Sequence, residues 1–537
     1  MSEVIYSEEQ KKIFEFAKYR AENLIVQAVA GAGKTTTLVG CVKALSDGGH
    51  TMMLLAHNKS TRDTLKERIG DIPNVRIFTL HGLAYRMFVE HFGLEMGSVT
   101  IDERKYRDYV NENLSSIASE DYHNLSRGMK LMYKATVFDL IDKARQNLKQ
   151  SEKEIRKMAT KKYGLHLVAD EARVASEVLK WGSENRDVVD FQDLLWFPSE
   201  FGYFTKKYLA DIIMLDEAQD ASLAQQNVLS RCFKRNTRLF AFGDKDQMIN
   251  NWCGSDMESF EHLKDSDVFR RPAKELPLST NYRCGKKIIE YAKRYTDNNI
   301  QAREDAPDGV VRFDVSLREA KDGDMILCRN SAPLMEVYRR GIANGQKMYF
   351  RGEELGNSLI YAVDCADGDT IPEIIEDMKR RLIATWEYLT KETGLDPNET
   401  AMDQRVVSLL ETIKTMENLP KTVQTRHDLE KFTKDVFSNE GRDGIQLSTI
   451  HRAKGLEADN VFIVCPSLIP SALARLDWQI EEERHLQYVM CTRPKNSLNF
   501  VTEKEVAPFV FIGKTSITKE LEKIKDEVYS LKLQYEQ

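Results

Sequence analysis

Residues 28–37 read Ala28-Val29-Ala30-Gly31-Ala32-Gly33-Lys34-Thr35-Thr36-Thr37 and have the pattern of a phosphate-binding loop. The apolar run Leu24-Ile25-Val26 before them predicts a strand, and the residues from Thr35 to Leu45 predict a helix. Glycines let backbone N–H groups close around phosphate oxygens, and the helix N-terminus adds a favourable dipole. An ordinary glycine-rich turn is the alternative, but such a turn rarely carries Gly-Lys-Thr-Thr directly after an apolar strand.

This loop predicts a nucleotide site. We expect Lys34 to reach the β- and γ-phosphates and Thr35 to hold Mg²⁺. The strict pattern has glycine at the position of Ala28. The predicted nucleotide contacts within the loop are Ala30, Gly31, Ala32, Gly33, Lys34, Thr35 and Thr36.

Length and composition indicate a soluble protein with several structural units. A chain of 537 residues exceeds one compact domain, so we expect three or four units. No apolar run approaches the roughly 18–20 residues that would span a bilayer, which predicts no membrane partner. The eight cysteines are scattered without a C-x-x-C pair, which argues against zinc ribbons and disulfide frameworks and for a reducing cytosol. With a net charge of −7, any polyanion site must be a local basic groove.

A second nucleotide signature follows the apolar run Ile212-Ile213-Met214-Leu215, which predicts a buried strand. The strand ends in Asp216-Glu217-Ala218-Gln219-Asp220. Asp216 is suited to hold Mg²⁺, directly or through water, and Glu217 is suited to position and deprotonate the attacking water. An acidic surface turn is the alternative interpretation.

A third predicted strand, from Arg238 to Phe242, runs into Gly243-Asp244-Lys245-Asp246-Gln247. We expect Gln247 to sense the γ-phosphate. Trp252 follows shortly after. A lone tryptophan is usually a core residue, but this position also suits stacking on a nucleobase.

Arginines recur in two later motifs. The first is Leu278-Ser279-Thr280-Asn281-Tyr282-Arg283, and the second runs from Glu481 to Arg493. Each arginine has an alternative as a surface charge. Two arginines downstream of a complete phosphate-binding module predict stabilisation of a transferring phosphoryl group.

The order of these motifs resembles superfamily 1 helicases of the UvrD/Rep/PcrA branch. The string Ser448-Thr449-Ile450-His451-Arg452-Ala453-Lys454-Gly455-Leu456-Glu457 is the most specific part of the resemblance. The resemblance implies an α/β fold with two RecA-like P-loop motor domains, each with a mainly helical insert, and ATP and Mg²⁺ as cofactors. It implies a monomeric ATP-dependent DNA helicase or translocase that moves 3′→5′ on single-stranded DNA and acts at single-strand/duplex junctions. We expect such a protein in the cytoplasm or nucleoid, or in the host cytoplasm if it is viral.

The resemblance also assigns residues to the nucleotide. Gln10 matches the glutamine that reads adenine, and Tyr282 matches the aromatic residue that stacks on it. Glu457 matches the glutamate near the ribose. Arg283 and Arg493 match the two arginines that contact the γ-phosphate from the second motor domain.

For nucleic acid, the resemblance assigns contacts to both motor domains and a stacking role to one tryptophan. His57 replaces the usual phenylalanine of its motif. Asn250, Cys253 and Pro494 also depart from the common residues, Tyr, Arg and Ala. The matched positions are His57, Asn58, Thr79, His81, Trp252, Thr449 and His451.

Motif positions predict the domain boundaries. The first motor domain takes residues 1–85 and 186–277, and the second takes 278–356 and 441–503. Helical inserts occupy 86–185 and 357–440, and a helical tail occupies 504–537.

Three helical regions carry further expectations. In the first insert, a helix is predicted from Leu131 to Ala144. In the second, helices are predicted from Pro372 to Tyr388, with Thr370 as N-cap, and from Met402 to Met416. A basic cluster in the first insert reads either as a solvated helix face or as a duplex or strand contact. It comprises Lys143, Arg145, Lys149, Lys153, Arg156, Lys157, Lys161 and Lys162.

The tail has an apolar heptad stripe that is shorter than three full heptads, so docking on the chain's own body is favoured over a coiled-coil site for a protein partner. The stripe is Ile517, Leu521, Ile524, Val528, Leu531 and Tyr535.

Two other functions stay open from the sequence. The chain could be the ATPase motor subunit of a larger recombination, repair or phage-defence complex with little unwinding of its own. It could also be a P-loop switch protein, although such a protein would not need Arg283, Arg493 and the Thr449/His451 motif.

Overall fold

The computed structural model describes residues 5–167, 169–249, 259–265, 269, 271–438, 441–506 and 513–535. The chain forms two compact units. The first comprises Met1–Asn124, Tyr133–Tyr282 and Asn298–Ile300, and the second comprises Leu125–Met132, Arg283–Asp297 and Gln301–Gln537. Nothing in the described ranges forms a helix that is both long and apolar enough to cross a membrane.

A six-stranded parallel sheet forms the centre of the first unit. Its central strands are almost continuously apolar, as expected for a sheet covered on both faces. Leu24, Ile25 and Val26, for example, are fully buried. In spatial order the strands are β3 (Val75–Thr79), β2 (Met52–Ala56), β6 (Ala210–Leu215), β7 (Phe233–Gly243), β1 (Asn23–Ala28) and β8 (Ala273–Leu278). Short strands β4 (Thr100–Ile101) and β5 (Val188–Val189) pair separately, and β9 spans Thr280–Asn281.

Helices complete the first unit. The predicted helix at residues 131–144 is confirmed within a longer helix, and a π-helical turn follows at Met158–Lys162. Around the sheet lie α1 (Glu8–Tyr19), α2 (Lys34–Leu45), α3 (Lys59–Ile69), α4 (Leu80–His91), α10 (Phe191–Phe201), α11 (Leu223–Ser230) and α12 (Ser259–Asp265). Between α4 and α10 come α5 (Lys105–Ile117), α6 (Glu120–His123), α7 (Arg127–Gln146), α8 (Glu152–Lys157) and α9 (Glu171–Glu184). The first residues of α7, up to Met132, belong to the second unit.

The second unit is built on a seven-stranded parallel sheet. In spatial order its strands are β11 (Val310–Val315), β17 (Pro494–Val501), β16 (Ala458–Ile463), β12 (Met325–Cys328), β15 (Ile445–Thr449), β13 (Met348–Arg351) and β14 (Phe437–Ser438). A short strand, β10, spans Gln301–Ala302. Together the two sheets confirm the predicted α/β fold class.

The helices of the second unit confirm the predictions for the second insert. Thr370 caps α16, because its hydroxyl accepts a hydrogen bond from the Glu373 N–H while its own N–H donates to the Glu373 carboxylate. The helices are α13 (Lys286–Ala292), α14 (Ser331–Ala343), α15 (Glu354–Asp364), α16 (Ile371–Thr393), α17 (Pro397–Thr400), α18 (Gln404–Glu417), α19 (Arg426–Val436), α20 (Asp477–Cys491) and α21 (Lys514–Tyr535).

The tail helix α21 docks on its own unit, as the apolar stripe predicts. Ile517 and Leu521 are fully buried, and Ile524 and Val528 are nearly so. Ion pairs to helices of the second insert fix the contact. Lys414 of α18 lies 2.5 Å from Glu520, and Glu387 of α16 lies 2.7 Å from Lys525.

Two members of the basic cluster are buried, so for them both the solvated-face and the strand-contact interpretations are wrong. Arg145 is buried, and its guanidinium donates to Asp190 at 2.7 Å and to Asp193 at 3.0 Å. Lys143 is also buried and pairs with Asp139. Carboxylates that the fold brings from the start of α10 explain the burial of Arg145. The side chains of Lys153, Lys157 and Lys161, by contrast, are exposed.

Candidate nucleotide and nucleic-acid sites

The phosphate-binding loop joins β1 to α2 with two glycines in the left-handed region. Gly31 has φ 66° and Gly33 has φ 77°, conformations that a side chain disfavours. The segment after β8 braces the loop. The Asn281 amide donates to the Ala30 carbonyl at 2.6 Å, and the Tyr282 N–H donates to the Gly31 carbonyl at 3.0 Å. Hydrogen bonds from Asn281 and Tyr282 therefore fix the backbone of the loop.

The order of the strands brings two acidic motifs to this loop, residues 216–220 after β6 and residues 243–247 at the end of β7. β7 lies beside β1, and β6 lies beside β7, all parallel, so their carboxyl ends share one edge. Lys34 Nζ lies 3.4 Å from Glu217 Oε2 at this edge. Asp216 and Asp244 are close enough to raise the pKa of the lysine.

A chain of hydrogen bonds extends from Glu217 to Gln247. The Gln219 amide donates to Glu217 Oε2 at 2.7 Å, and the Asp244 N–H donates to Gln219 Oε1 at 3.1 Å. The Gln247 amide then donates to Asp244 Oδ2 at 2.5 Å. Glu217 has φ 50°, an uncommon value for a residue other than glycine. Lys34 is thus connected to Gln247 through Glu217, Gln219 and Asp244, with the backbone N–H of Asp244 as one of the links.

At this edge of the sheet, acidic side chains outnumber the one lysine beside them. Burial alone would lower the pKa of Lys34, but the negative charges of Glu217, Asp244 and Asp216 outweigh it and raise the pKa. Burial and the neighbouring Glu217 raise the pKa of Asp216 to about 7 against the pull of Lys34. Burial also raises the pKa of Asp244 to about 7. One lysine therefore faces three carboxylates.

Three acidic side chains beside one lysine fit a bound divalent cation, which would favour their ionised forms. The Thr35 hydroxyl, at the start of α2, and the carboxylate of Asp216 are oxygen ligands of the kind that Mg²⁺ prefers. Within the described ranges, no three His, Cys, Asp or Glu side chains converge as a complete metal site. A cation here would need phosphate oxygens or water as further ligands.

Gln10 is tied to the loop helix. Its amide oxygen accepts from the Ser7 N–H at 2.9 Å, and its amide nitrogen donates to the Thr37 hydroxyl at 2.9 Å. Thr37 in turn donates to the Gly33 carbonyl at 3.0 Å. Each end of an amide can make a second hydrogen bond, so these contacts orient Gln10 while leaving capacity for a base edge.

In the second unit, Arg283 and Glu457 form an ion pair. Arg283 Nε lies 2.7 Å from Glu457 Oε2, and its Nη1 donates to the Thr492 carbonyl at 3.1 Å. Lys495 also pairs with Glu457, at 3.0 Å. Burial raises the pKa of Glu457, but Lys495 and Arg283 outweigh it, so the pKa lies below its usual value.

Arg493 is buried with only 1% of its surface exposed. Its guanidinium donates to the carbonyl of Val489 at 2.9 Å, to the carbonyl of Leu456 at 3.2 Å and to the hydroxyl of Thr492 at 2.9 Å. It therefore has a structural role between α20 and the segment that ends in Glu457.

Residues assigned to nucleic acid in the first unit cluster at the carboxyl ends of β2 and β3. Asn58 caps α3 by accepting from the Thr61 N–H at 2.8 Å, and Thr79 caps α4 by accepting from the Gly82 N–H at 3.1 Å. Burial and the nearby His57 lower the pKa of His81, against Asp190. His81 is thus neutral near pH 7.

An exposed phenylalanine joins this group. The Phe191 ring lies 6.1 Å from the His81 ring, nearly perpendicular to it, and is 46% exposed. Sequence analysis missed it as a site residue, although an apolar residue directly after the N-cap Asp190 was a usable signal.

In the second unit, Thr449 ends β15 and His451 follows it. Burial and the cations of Arg329 and Arg452 hold the pKa of His451 well below its usual value, so it is neutral. Arg329 itself pairs with Glu483 at 2.7 Å. Trp252 and the departures Asn250 and Cys253 lie outside the described residues.

The sequence did not predict three further site residues, Gln219, Asp244 and Asn281. All three fall inside motifs quoted above, but their roles depend on which strands are neighbours. Asp244 offered the clearest signal, because a carboxylate directly after a strand of the same sheet commonly lies at the same edge.

Comparison with known proteins identifies the family. The model for the UvrD/REP helicase N-terminal domain matches residues 6–267, and the model for the UvrD-like helicase C-terminal domain matches residues 372–505. The chain is 24% identical over 618 aligned positions to the ATP-dependent DNA helicase PcrA of Staphylococcus aureus, covering 88% of this chain and 80% of the relative. The PcrA of Staphylococcus epidermidis is 21% identical over 608 positions with the same coverage.

A further relative is the probable DNA helicase II homolog of Mycoplasma pneumoniae, which is 25% identical over 310 residues. This match covers 54% of this chain but only 42% of the relative, so the chain matches less than half of that protein's length. The two family models together cover most of the chain and follow the two sheets in order. The chain therefore belongs to the UvrD/Rep/PcrA family of ATP-dependent DNA helicases.

Proposed function

We propose that this chain couples ATP hydrolysis to 3′→5′ movement along single-stranded DNA and separates duplexes at single-strand/duplex junctions, in repair or replication. The observation that carries the proposal is the contact chain from Lys34 through Glu217, Gln219 and Asp244 to Gln247. It connects a phosphate-binding lysine to Gln247, which lies five residues before Trp252 in the sequence, and this supports a coupling of nucleotide state to strand contact.

Hydrolysis would use the carboxyl edge of the first sheet. Lys34 binds the β- and γ-phosphates, while Thr35 and Asp216 hold Mg²⁺, which supplies charge neutralisation of the phosphates when bound. Glu217 accepts the proton of the attacking water. Glu217 lies 3.4 Å from Lys34, so a phosphate that takes the lysine as its partner leaves the carboxylate to bind water.

The remaining nucleotide residues would bind and orient the substrate. Gln10 reads the adenine edge and Tyr282, whose side chain is 44% exposed, stacks on the base. Glu457 contacts the ribose. Arg283 and Arg493 supply positive charge to the γ-phosphate in the transition state. For this, Arg283 must exchange its partner Glu457, and the buried Arg493 must exchange its bonds to the Val489 and Leu456 carbonyls.

DNA contact would alternate between the units. His57, Asn58, Thr79 and His81 hold the strand on the first unit, and Thr449 and His451 hold it on the second. Because both His81 and His451 are neutral, they donate hydrogen bonds to the strand and do not act as cations. Trp252 stacks on a base.

Strand displacement tests this function. We expect ATPase activity that single-stranded DNA stimulates, and unwinding of 3′-tailed duplexes but not of 5′-tailed or blunt ones. Lys34→Ala serves as the hydrolysis-dead control. Unwinding from 5′ tails would refute the polarity, and ATPase activity indifferent to DNA would refute the motor.

The alternative is the ATPase subunit of a larger machine. The second insert, residues 357–440, supports it, because it is much shorter than the large insert of the family's best-known members. The tail helix does not support it, because its described apolar stripe is buried within its own unit. A folded monomer that hydrolyses ATP with DNA but unwinds no tailed duplex would favour this alternative.

A further inference from the structure

A basic and aromatic patch lies on the second unit, outside every site assigned above. Lys287, Tyr291 and Arg294 follow one another at helical spacing along α13 and the turn after it. Val311 and Phe313 lie on one face of the neighbouring strand β11. Together with the paired Glu290 and Lys293, these side chains line an open depression of about 490 Å³.

Phe313 presents one ring face to solvent. The side chain is 58% exposed, although Val310–Val315 belongs to a seven-stranded sheet. Its ring stacks on the buried Phe500 with centroids 5.0 Å apart and planes 5° apart. Tyr291 supports both rings, at 6.0 Å from Phe313 and 5.6 Å from Phe500. The covered face fixes the ring, and the other face is available for a planar ligand.

Positive charge flanks this ring. Among the described residues, no carboxylate lies within ion-pair distance of Lys287 or Arg294, and both side chains are exposed. Arg294 lies over the Tyr291 ring, 4.6 Å from its centroid, which limits its freedom. Lys293 is compensated by Glu290 at 2.8 Å. The patch therefore offers two uncompensated cations to an anionic partner, in a chain whose net charge is −7.

The edge of the sheet is poorly suited to a peptide strand. β11 pairs with β17 in register from Val310 to Arg312, and the register then shifts before Val315. Asp314, within the shift, has φ 53°. Such a bulge interrupts the regular edge of the sheet, so only a short stretch of backbone could pair with an added strand. The bulge also redirects side chains, and Phe313 faces outward. An exposed ring between cations instead suits a nucleobase and its phosphates.

This patch is separate from the strand contacts proposed above. β11 is the first strand of the sheet and β15, which ends at Thr449, is the fifth. Four strand spacings of about 4.8 Å place the two strands about 19 Å apart.

We propose that the patch formed by Lys287, Tyr291, Arg294 and Phe313 is a second binding site for single-stranded nucleic acid. A base stacks on the free face of Phe313, and Lys287 and Arg294 bind the flanking phosphates. The proposal rests on the proposed action on single-stranded DNA, and it adds a contact outside the strand path of the motor.

A tryptophan reporter tests the stacking directly. Phe313→Trp keeps an aromatic ring on Phe500, and the emission of that tryptophan is obtained by subtracting the wild-type signal. We expect saturating oligothymidylate of about 20 nucleotides to quench it, since stacked bases quench indole. The matched control is Phe204→Trp, at a 57% exposed phenylalanine of the first unit, which should not respond.

Crosslinking of the wild-type chain supplies a second measurement. An oligonucleotide with 5-iodouridine should crosslink to the peptide that contains Phe313. Phe313→Ala should abolish this crosslink and weaken oligonucleotide binding about fivefold or more, with unchanged ATPase activity in the absence of DNA. Lys287→Gln together with Arg294→Gln should reduce the salt dependence of binding.

Two results would overturn the proposal while the motor function survives. One is stimulation of the ATPase by oligothymidylate that saturates without quenching or crosslinking at position 313. The other is quenching by polyglutamate as strong as that by oligothymidylate, which would assign the patch to acidic peptides. Absence of any DNA-stimulated ATPase would instead refute the proposed function itself.

Discussion

Glu217→Gln separates hydrolysis from nucleotide binding. The Glu217 carboxylate accepts a hydrogen bond from Gln219 at 2.7 Å, and a glutamine oxygen can accept the same bond. The amide cannot take a proton from water, so only general-base catalysis is lost. That catalysis contributes about 10²–10⁴-fold, equivalent to about 3–5.5 kcal/mol of the barrier. We expect kcat for ATP to fall by that factor.

Nucleotide affinity should be kept or improved in the same variant. Lys34, now 3.4 Å from the carboxylate, loses a competing partner and is left for the phosphates. Glu217 is also, after burial, the largest cause of the raised pKa of Asp216, so its removal favours ionised Asp216. The proposed Mg²⁺ ligand is therefore strengthened.

Steady-state phosphate release and displacement of a fluorescent ATP analogue measure the two effects. Glu67→Gln, at an exposed position of α3, is the control for a lost surface charge. A turnover close to the wild-type rate would show that the base lies elsewhere. A tenfold loss of ATP affinity with an unchanged Tm would make Glu217 a binding residue.

Three further variants test other parts of the structure. In the absence of nucleotide, the Tm of Asp244→Asn minus that of the wild type should increase as the pH rises from 5 to 8. The pKa of Asp244 is about 7 in the folded wild type and 3.8 ordinarily, so the folded chain holds a proton that the unfolded chain releases. Wild-type stability therefore falls as the pH rises over this range. A Tm difference between variant and wild type that does not change with pH would contradict this. Arg283→Ala should slow turnover with little change in Tm. Arg493→Ala should lower both turnover and Tm, because it removes the hydrogen bonds to Val489, Leu456 and Thr492 and leaves a cavity at a buried position. Equal thermal stability of the two variants would refute the structural role of Arg493. Leu521→Ala should cost about 2–5 kcal/mol of unfolding free energy, while Lys523→Ala, at a 65% exposed side chain, should cost almost nothing; similar denaturation curves would refute the docking of α21.

Local patterns made much of the fold predictable. The phosphate-binding loop, the strand before Asp216 and the helix capped by Thr370 each depend on residues close together in sequence. Apolar periodicity and capping residues therefore report them directly. The apolar stripe of the tail likewise predicted a packed helix.

Long-range contacts explain what the sequence could not predict. Arg145 sits in a lysine-rich run, and nothing nearby indicates that Asp190 and Asp193 will bury it. The bridge from Glu217 to Asp244 through Gln219 exists because β6 and β7 are neighbours in the sheet, an arrangement that no local pattern encodes. Both features require the tertiary fold to be known first.

The left-handed backbone at Glu217 has a consequence for protein engineering. This conformation favours glycine or asparagine, and holding a glutamate there costs the fold on the order of 1 kcal/mol. Laboratory evolution that selects only for heat resistance should therefore enrich replacements of Glu217, and the selected proteins should be thermostable but unable to hydrolyse ATP. Selection schemes for robust variants should keep codon 217 fixed or apply a simultaneous demand for ATP turnover.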